Sequence, residues 1–221
     1  MKKSLLLLGL ALLHVGGYLW AQSPERFKND IHTILQFDKI YAPPPHPILF
    51  VGSSSIRKWD DLERNFSKYV VLNRGIGGAE TNDVTHYAKD IIFPYAPRQI
   101  VIYVGENDLP AANVNADTLL QRFTVLYAKI RSELPTIPLI YISIKPSPSR
   151  AAFFDKAKQS NALIKKFLAN EKNTVFVDIY PKMLDKAGVP RKELFLEDML
   201  HMNKQGYAIW EKAIQPYLSG K

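Results

Sequence analysis

Apolar residues gather in five short blocks along the chain, and most of these blocks stop at a glycine- or serine-rich or polar cluster. Residues 47–51 (PILFV) end at Gly52 and three serines, and residues 69–72 (YVVL) end at NRGIGG. Residues 99–104 (QIVIYV) end at GENDLP, residues 138–144 (PLIYISI) end at KPSPS, and residues 174–179 (TVFVDI) form the fifth block. Continuous apolar runs of this length predict strands covered on both faces. Between them the apolar positions recur at helical spacing. In residues 117–134 the stripe runs through Leu119, Leu120, Phe123, Leu126, Tyr127, Ile130 and Leu134, with Asp117 placed to cap its start and Pro135 to stop it. Residues 155–170 repeat the pattern through Leu163, Ile164, Phe167 and Leu168, and Asn203 is placed to cap a last helix carrying Tyr207, Trp210, Ile214 and Tyr217. Those aromatics read as core. Another helix precedes the proline cluster at residues 43–47. Strand alternating with helix predicts an α/β fold with a mainly parallel sheet.

The first residues break this rhythm. Met1-Lys2-Lys3-Ser4 leads into LLLLGLALL at residues 5–13, with a small residue at Ala21. A basic start, a short apolar run and a small residue describe a secretory signal peptide over residues 1–21, cut after Ala21. The run is shorter than the roughly 20 apolar residues a membrane span needs, and His14, Gly16 and Gly17 interrupt any longer one. Leu19 departs from the A-x-A cleavage pattern, which leaves an uncleaved anchor as the alternative. Residues 22–221 then form a single domain, expected in the periplasm or outside the cell without stable membrane insertion.

Composition narrows the field further. Of 221 residues, 47% are apolar and 11% aromatic, enough for a full core and too many for a disordered chain. The chain has no Cys, so disulfides, thiolate metal sites, lipoprotein acylation and a cysteine nucleophile are excluded. The net charge of +8 falls to +6 once Lys2 and Lys3 leave with the signal. The remaining cations are scattered, and only Lys165-Lys166 form a tight pair, so the charge reads as solvated surface and no nucleic-acid partner is expected.

In an open parallel α/β sheet, ligands bind at the carboxyl ends of the strands. Those positions hold Gly52-Ser53-Ser54-Ser55, then Asn73-Arg74-Gly75-Ile76-Gly77-Gly78, then Gly105-Glu106-Asn107-Asp108, and further along Asp198-Met199-Leu200-His201. The serine cluster reads in two ways, as an ordinary helix cap or as a nucleophile on a strand-to-helix turn. It is not the G-x-S-x-G elbow, because Ile56 stands at the second glycine. Asp198 and His201 favour the nucleophile. A serine needs a base oriented by a carboxylate, and an Asp three residues before a His can accept from Nδ1–H and leave Nε2 for the serine. The other histidines lack this setting: His14 lies in the signal, His32 in an amphipathic stretch, His46 among prolines and His86 beside Tyr87. Gly78 offers an unobstructed backbone N–H and Asn107 a side-chain NH2 for a developing oxyanion. Taken singly, each motif also reads as an ordinary turn. No histidine–carboxylate cluster has metal-ligand spacing, and no cofactor is implied.

These four blocks, FVGSSSIRKW, NRGIGG, GEND and DMLH, resemble those of the SGNH, or GDSL, hydrolase family. The resemblance places Ser54 on the family's nucleophile, Gly78 and Asn107 with Ser54 on the oxyanion donors, and Asp198 and His201 on the rest of the triad. It departs at Ser53, where the family has Asp. The preference for Ser54 over Ser53 or Ser55 rests on that alignment. The resemblance implies a three-layer α/β/α sandwich, a flavodoxin-like five-stranded parallel sheet, and hydrolysis of an ester on a small molecule or glycan, often an O-acetyl ester. Lipid esters and thioesters are the alternatives within the family. Two rivals lie outside it: a non-catalytic glycan-binding domain on the same fold, and a phosphate cradle at Gly52 to Ser55, which lacks the P-loop lysine. Trp59 and the loop at residues 145–150 (KPSPSR) read equally as substrate contacts or as packing and a rigid turn.

Overall fold

The computed structural model describes residues 26–220, so the signal peptide expected at residues 1–21 and its expected cut after Ala21 lie outside the described residues. Five strands form one sheet: β1 (Ile48–Gly52), β2 (Val71–Gly75), β3 (Gln99–Tyr103), β4 (Leu139–Ile142) and β5 (Thr174–Val177). All pairings are parallel and the order is β2-β1-β3-β4-β5, the flavodoxin-like arrangement. The order reverses between β1 and β3, which marks the crevice where such sheets take their ligands.

The pleat divides the core in two. On one face Leu49, Val51, Ile100 and Ile102 pack with α1 (Lys28–Ile40), α4 (Thr81–His86), α5 (Ala88–Ile91), α6 (Ala116–Glu133) and α7 (Phe154–Leu168). On the other, Ile48, Phe50, Val101 and Tyr103 pack with α2 (Ser54–Arg57), α3 (Leu62–Asn65) and α8 (Lys204–Ile214). Successive residues of β1 and β3 thus belong to opposite clusters, and all are fully buried. Burying each large aliphatic side chain stabilises the fold by about 1.5–3 kcal/mol. The result is the three-layer α/β/α sandwich.

The elements differ from the sequence reading in several places, the fifth strand among them, which ends at Val177. The second strand continues through Asn73, Arg74 and Gly75, because β2 is an edge where polar side chains find partners. Arg74 bonds Asp38 and Tyr95, and Asn73 Nδ2 donates to the Ile56 carbonyl at 2.7 Å. The fourth strand stops at Ile142: Ser143 still donates its N–H to the Val177 carbonyl, its Oγ accepts from the Ile179 and Tyr180 amides after β5, and the side chain of Asn161 then takes both backbone groups of Ile144. Asn115, not Asp117, caps α6, accepting from Thr118 N–H at 2.8 Å. Tyr217 is half exposed, because Pro216 ends the helical pattern after Ile214. Asn115→Ala is expected to lose about 1 kcal/mol, read as a fall of roughly 2–4 °C in the melting temperature; an unchanged midpoint would show that the cap adds nothing.

One glycine directs the chain into the site. Gly52 has φ +136°, and a Cβ there would sit 1.8 Å from the Tyr103 carbonyl oxygen. Only glycine lets β1 lie against β3 at its last residue and then swing into α2.

Candidate active site

Ser54 opens α2 directly beyond β1, and its hydroxyl is the one serine hydroxyl of the cluster that meets the His201 ring. Ser53 is the N-cap residue by position, but its side chain caps nothing. Ser55 is fully buried with an unpartnered Oγ. The capping reading of the cluster therefore fails on its own atoms. The turn is held from outside, by Tyr207 Oη donating to the Ser55 carbonyl at 3.0 Å and by Asn73 on Ile56.

The second component is the turn Asp198-Met199-Leu200-His201. Its neck is closed by the Phe195–Met202 bridge and by Leu196 N–H on the His201 carbonyl at 2.8 Å. Met199 takes a left-handed conformation, φ +53°, which reverses the chain over a single residue at some cost in strain. The reversal aims the Leu200 and His201 amides at Asp198 Oδ1, at 3.0 and 2.8 Å. Asp198 Oδ2 lies 2.5 Å from His201 Nδ1. A carboxylate only accepts, so Nδ1 carries the proton and Nε2 is left as an acceptor. Ser54 Oγ stands 2.9 Å from that Nε2. Burial would raise the Asp198 carboxyl, but the bonds from the His201 ring and from the two amides outweigh it and hold the group well below the usual carboxylate range. Asp198 thus stays ionised with its side chain 45% exposed, kept in place by directed bonds.

Gly78 and Asn107 arrive from β2 and β3. Gly78 has φ +80° with an open flank, the Phe27 ring being the nearest group at 4.0 Å from where a Cβ would stand. Asn107 Nδ2 donates to the Ala79 carbonyl at 3.0 Å, which places the amide beside Gly78 and leaves its second N–H for another acceptor. Sequence reasoning assigned five residues to one rim. The structure joins Ser54, His201 and Asp198 by hydrogen bonds and brings Asn107 to the Gly78 loop; among the described residues neither Gly78 nor Asn107 bonds Ser54. No group of three or more His, Asp or Glu with metal-holding geometry occurs among the described residues.

The profile of the GDSL-like Lipase/Acylhydrolase family matches residues 50–209, which span all four blocks. The chain belongs to this family. No curated protein matches the sequence. Among solved structures it is similar to a Streptococcus pneumonia protein provisionally named a platelet activating factor, at 22% identity and TM-score 0.76, covering 88% of this chain and 94% of that one. A GDSL-like lipase from Bacteroides thetaiotaomicron gives 20% and 0.70, covering 85% and 96%. A carbohydrate esterase family 3 protein from Talaromyces cellulolyticus gives 16% and 0.59, covering 76% and 94%. At these identities the likeness is one of fold.

As a GDSL-like acylhydrolase the protein is an ester hydrolase, and its rim has supports that the motifs did not reveal. Lys145 and Ser147, in the loop that read as a rigid turn or a substrate contact, are fully buried. The Lys145 ammonium pairs with Glu106, which also accepts from Tyr103 Oη at 2.9 Å and Ser147 Oγ at 2.5 Å. The same loop reaches the histidine turn through Ser149 N–H on the Met199 carbonyl at 3.0 Å. Trp59, the other candidate contact, is core: it stacks on Tyr207 at 5.0 Å and donates Nε1–H to Asn65 at 2.9 Å. The available signal was a lysine and a serine set between apolar strand residues and the helix that follows. No helix among the described residues is long and apolar enough to cross a membrane.

Proposed function

We propose that the protein is a serine esterase that removes short acyl groups, in particular O-acetyl groups from carbohydrate, through an acyl-serine intermediate. The unbroken chain from Ser54 Oγ through His201 to Asp198 carries this reading. Ser54 attacks the ester carbonyl carbon as its proton passes to Nε2. The amides of Ser54 and Gly78 and the Asn107 side chain hold the oxyanion, and Asp198 balances the imidazolium. Collapse breaks the ester C–O bond, and the alcohol leaves with the proton from Nε2. Water then repeats the cycle on the acyl-serine, releasing the acid and restoring the hydroxyl. The sequence uses no cofactor. Export through the leader at residues 1–21 belongs to the same reading and fits a substrate met outside the cytoplasm.

A carbohydrate moiety is supported by the surface beside the histidine turn. A cleft of about 710 Å³ flanks the histidine turn without including Ser54 or His201, and its lining, with Lys58, Asp60, Arg64, Met202, Asn203 and Tyr207, mixes charged, amide, aliphatic and aromatic groups. Such a lining suits a polyhydroxyl group better than a long acyl chain. The fold likeness to a carbohydrate esterase points the same way. A series of nitrophenyl esters is expected to show kcat/KM falling at least about tenfold from acetyl to hexanoyl, with acetate released from acetylated sugars. A rise with chain length favours lipid esters, and binding of acetylated glycans without acetate release favours a glycan-binding domain.

A further inference from the structure

The two loops that supply Gly78 and Asn107 leave the sheet from different strands, and a chain of charged side chains ties them together. Asp108, next to Asn107, has a fully buried side chain and accepts at Oδ2 from Thr81 N–H and Thr81 Oγ at 3.0 and 3.1 Å. Its other oxygen accepts from Arg122 on α6 at 2.6 Å. The same Arg122 nitrogen reaches Glu80, two residues beyond Gly78, at 3.0 Å. Glu80 in turn accepts from Arg26 at 3.0 Å, and Arg26 donates its other terminal nitrogen to the Gly78 carbonyl at 3.1 Å. One guanidinium thus holds a carboxylate from each oxyanion loop, and a second grips the Gly78 peptide itself.

Building on the serine-esterase reading, we infer that Arg122 is a positioning residue of the oxyanion site, fixing the spacing between the Gly78 amide and the Asn107 side chain. Charge develops on the substrate oxygen only in the transition state, so donors that must be brought together at that moment lose much of their value. Arg122 touches neither Ser54 nor His201 and acts through Glu80 and Asp108. Burial pushes the Asp108 carboxyl up to about 6, with the Arg122 bond opposing the rise, so the guanidinium helps keep this acceptor charged near neutrality. Arg122 and Glu80 are mostly covered, at 16% and 17% side-chain exposure, so solvent screens their contact little.

The test uses the full chain as exported, with the shortest nitrophenyl ester that wild type hydrolyses, and the Ki of methylboronic acid, which forms a tetrahedral adduct on a reactive serine. Folded Arg122→Met is expected to lose roughly 10–100-fold in kcat, with KM within about twofold of wild type. The boronate Ki should rise in step with the loss of kcat, and Arg122→Lys, which keeps the charge without the fork, should recover part of both. A folded Arg122→Met with kcat within twofold of wild type overturns the inference. So does a fall in kcat with an unchanged boronate Ki, because a general structural defect produces that pattern. If Arg122→Met does not fold, Arg122→Lys decides by the same two readouts. Ser54→Ala runs beside them: hydrolysis surviving in that variant rejects the serine reading itself, whatever Arg122 does.

Discussion

Ser54→Ala is expected to abolish both ester hydrolysis and labelling by a fluorophosphonate, with kcat falling by at least about 10³-fold. The size follows from what is lost. Covalent catalysis through a serine requires the hydroxyl, and the oxyanion donors that remain stabilise an attack which now has no nucleophile. The fold should be untouched, because Ser54 is only partly buried and its side chain bonds outward to His201 rather than into the core. Its neighbours supply internal controls. Ser53→Ala should keep the labelling, since that side chain caps nothing. Ser55→Ala removes an unpartnered buried hydroxyl, so it should keep labelling and lose no stability. Labelling that moves to Ser53 or Ser55, or hydrolysis that survives at Ser54→Ala, would reassign the nucleophile.

The parts of this site that could be read from the chain share a property: each is local. A Gly-rich or serine-rich segment behind an apolar run announces a strand end, and parallel strands bring such ends to one rim. Asp198 and His201 were legible because the carboxylate and the ring belong to one turn. The supports were not legible, because their partners lie far apart in sequence. Lys145 and Glu106 are 39 residues apart, and Arg122 and Glu80 are 42 apart. A lysine in KPSPS looks like a solvated loop residue until the loop is folded under the histidine turn. Helix ends failed for another reason. Asn115 and Asp117 are both good caps two residues apart, and only the backbone geometry at Asn115 chooses between them.

Lys145→Met is expected to cost about 3–5 kcal/mol of stability, a fall in melting temperature of roughly 6–20 °C for a chain of this size. The side chain of Lys145 has no exposed surface, and that of Glu106 has 4%. Burial pushes the ammonium down from its ordinary value, and the Glu106 carboxylate beside it works against that shift. Methionine fills the space of the lysine stem but leaves Glu106 with only the Tyr103 and Ser147 hydroxyls in an apolar setting. The penalty is therefore the stranded charge rather than the worth of the pair. On that argument Lys145→Met combined with Glu106→Gln should recover most of the loss, because a neutral amide leaves no stranded charge: its oxygen accepts from one of the two hydroxyls and its NH2 donates to the oxygen of the other. Thermal melts of the single and double variants decide the point. A single variant within about 3 °C of wild type would mean the pair is not buried as described. A double variant no better than the single would place the loss in packing around Lys145. Activity measured well below the midpoint adds a second reading. Ser149 holds the Met199 carbonyl from the same loop, so a loosened loop should lower kcat in the single variant even while it remains folded.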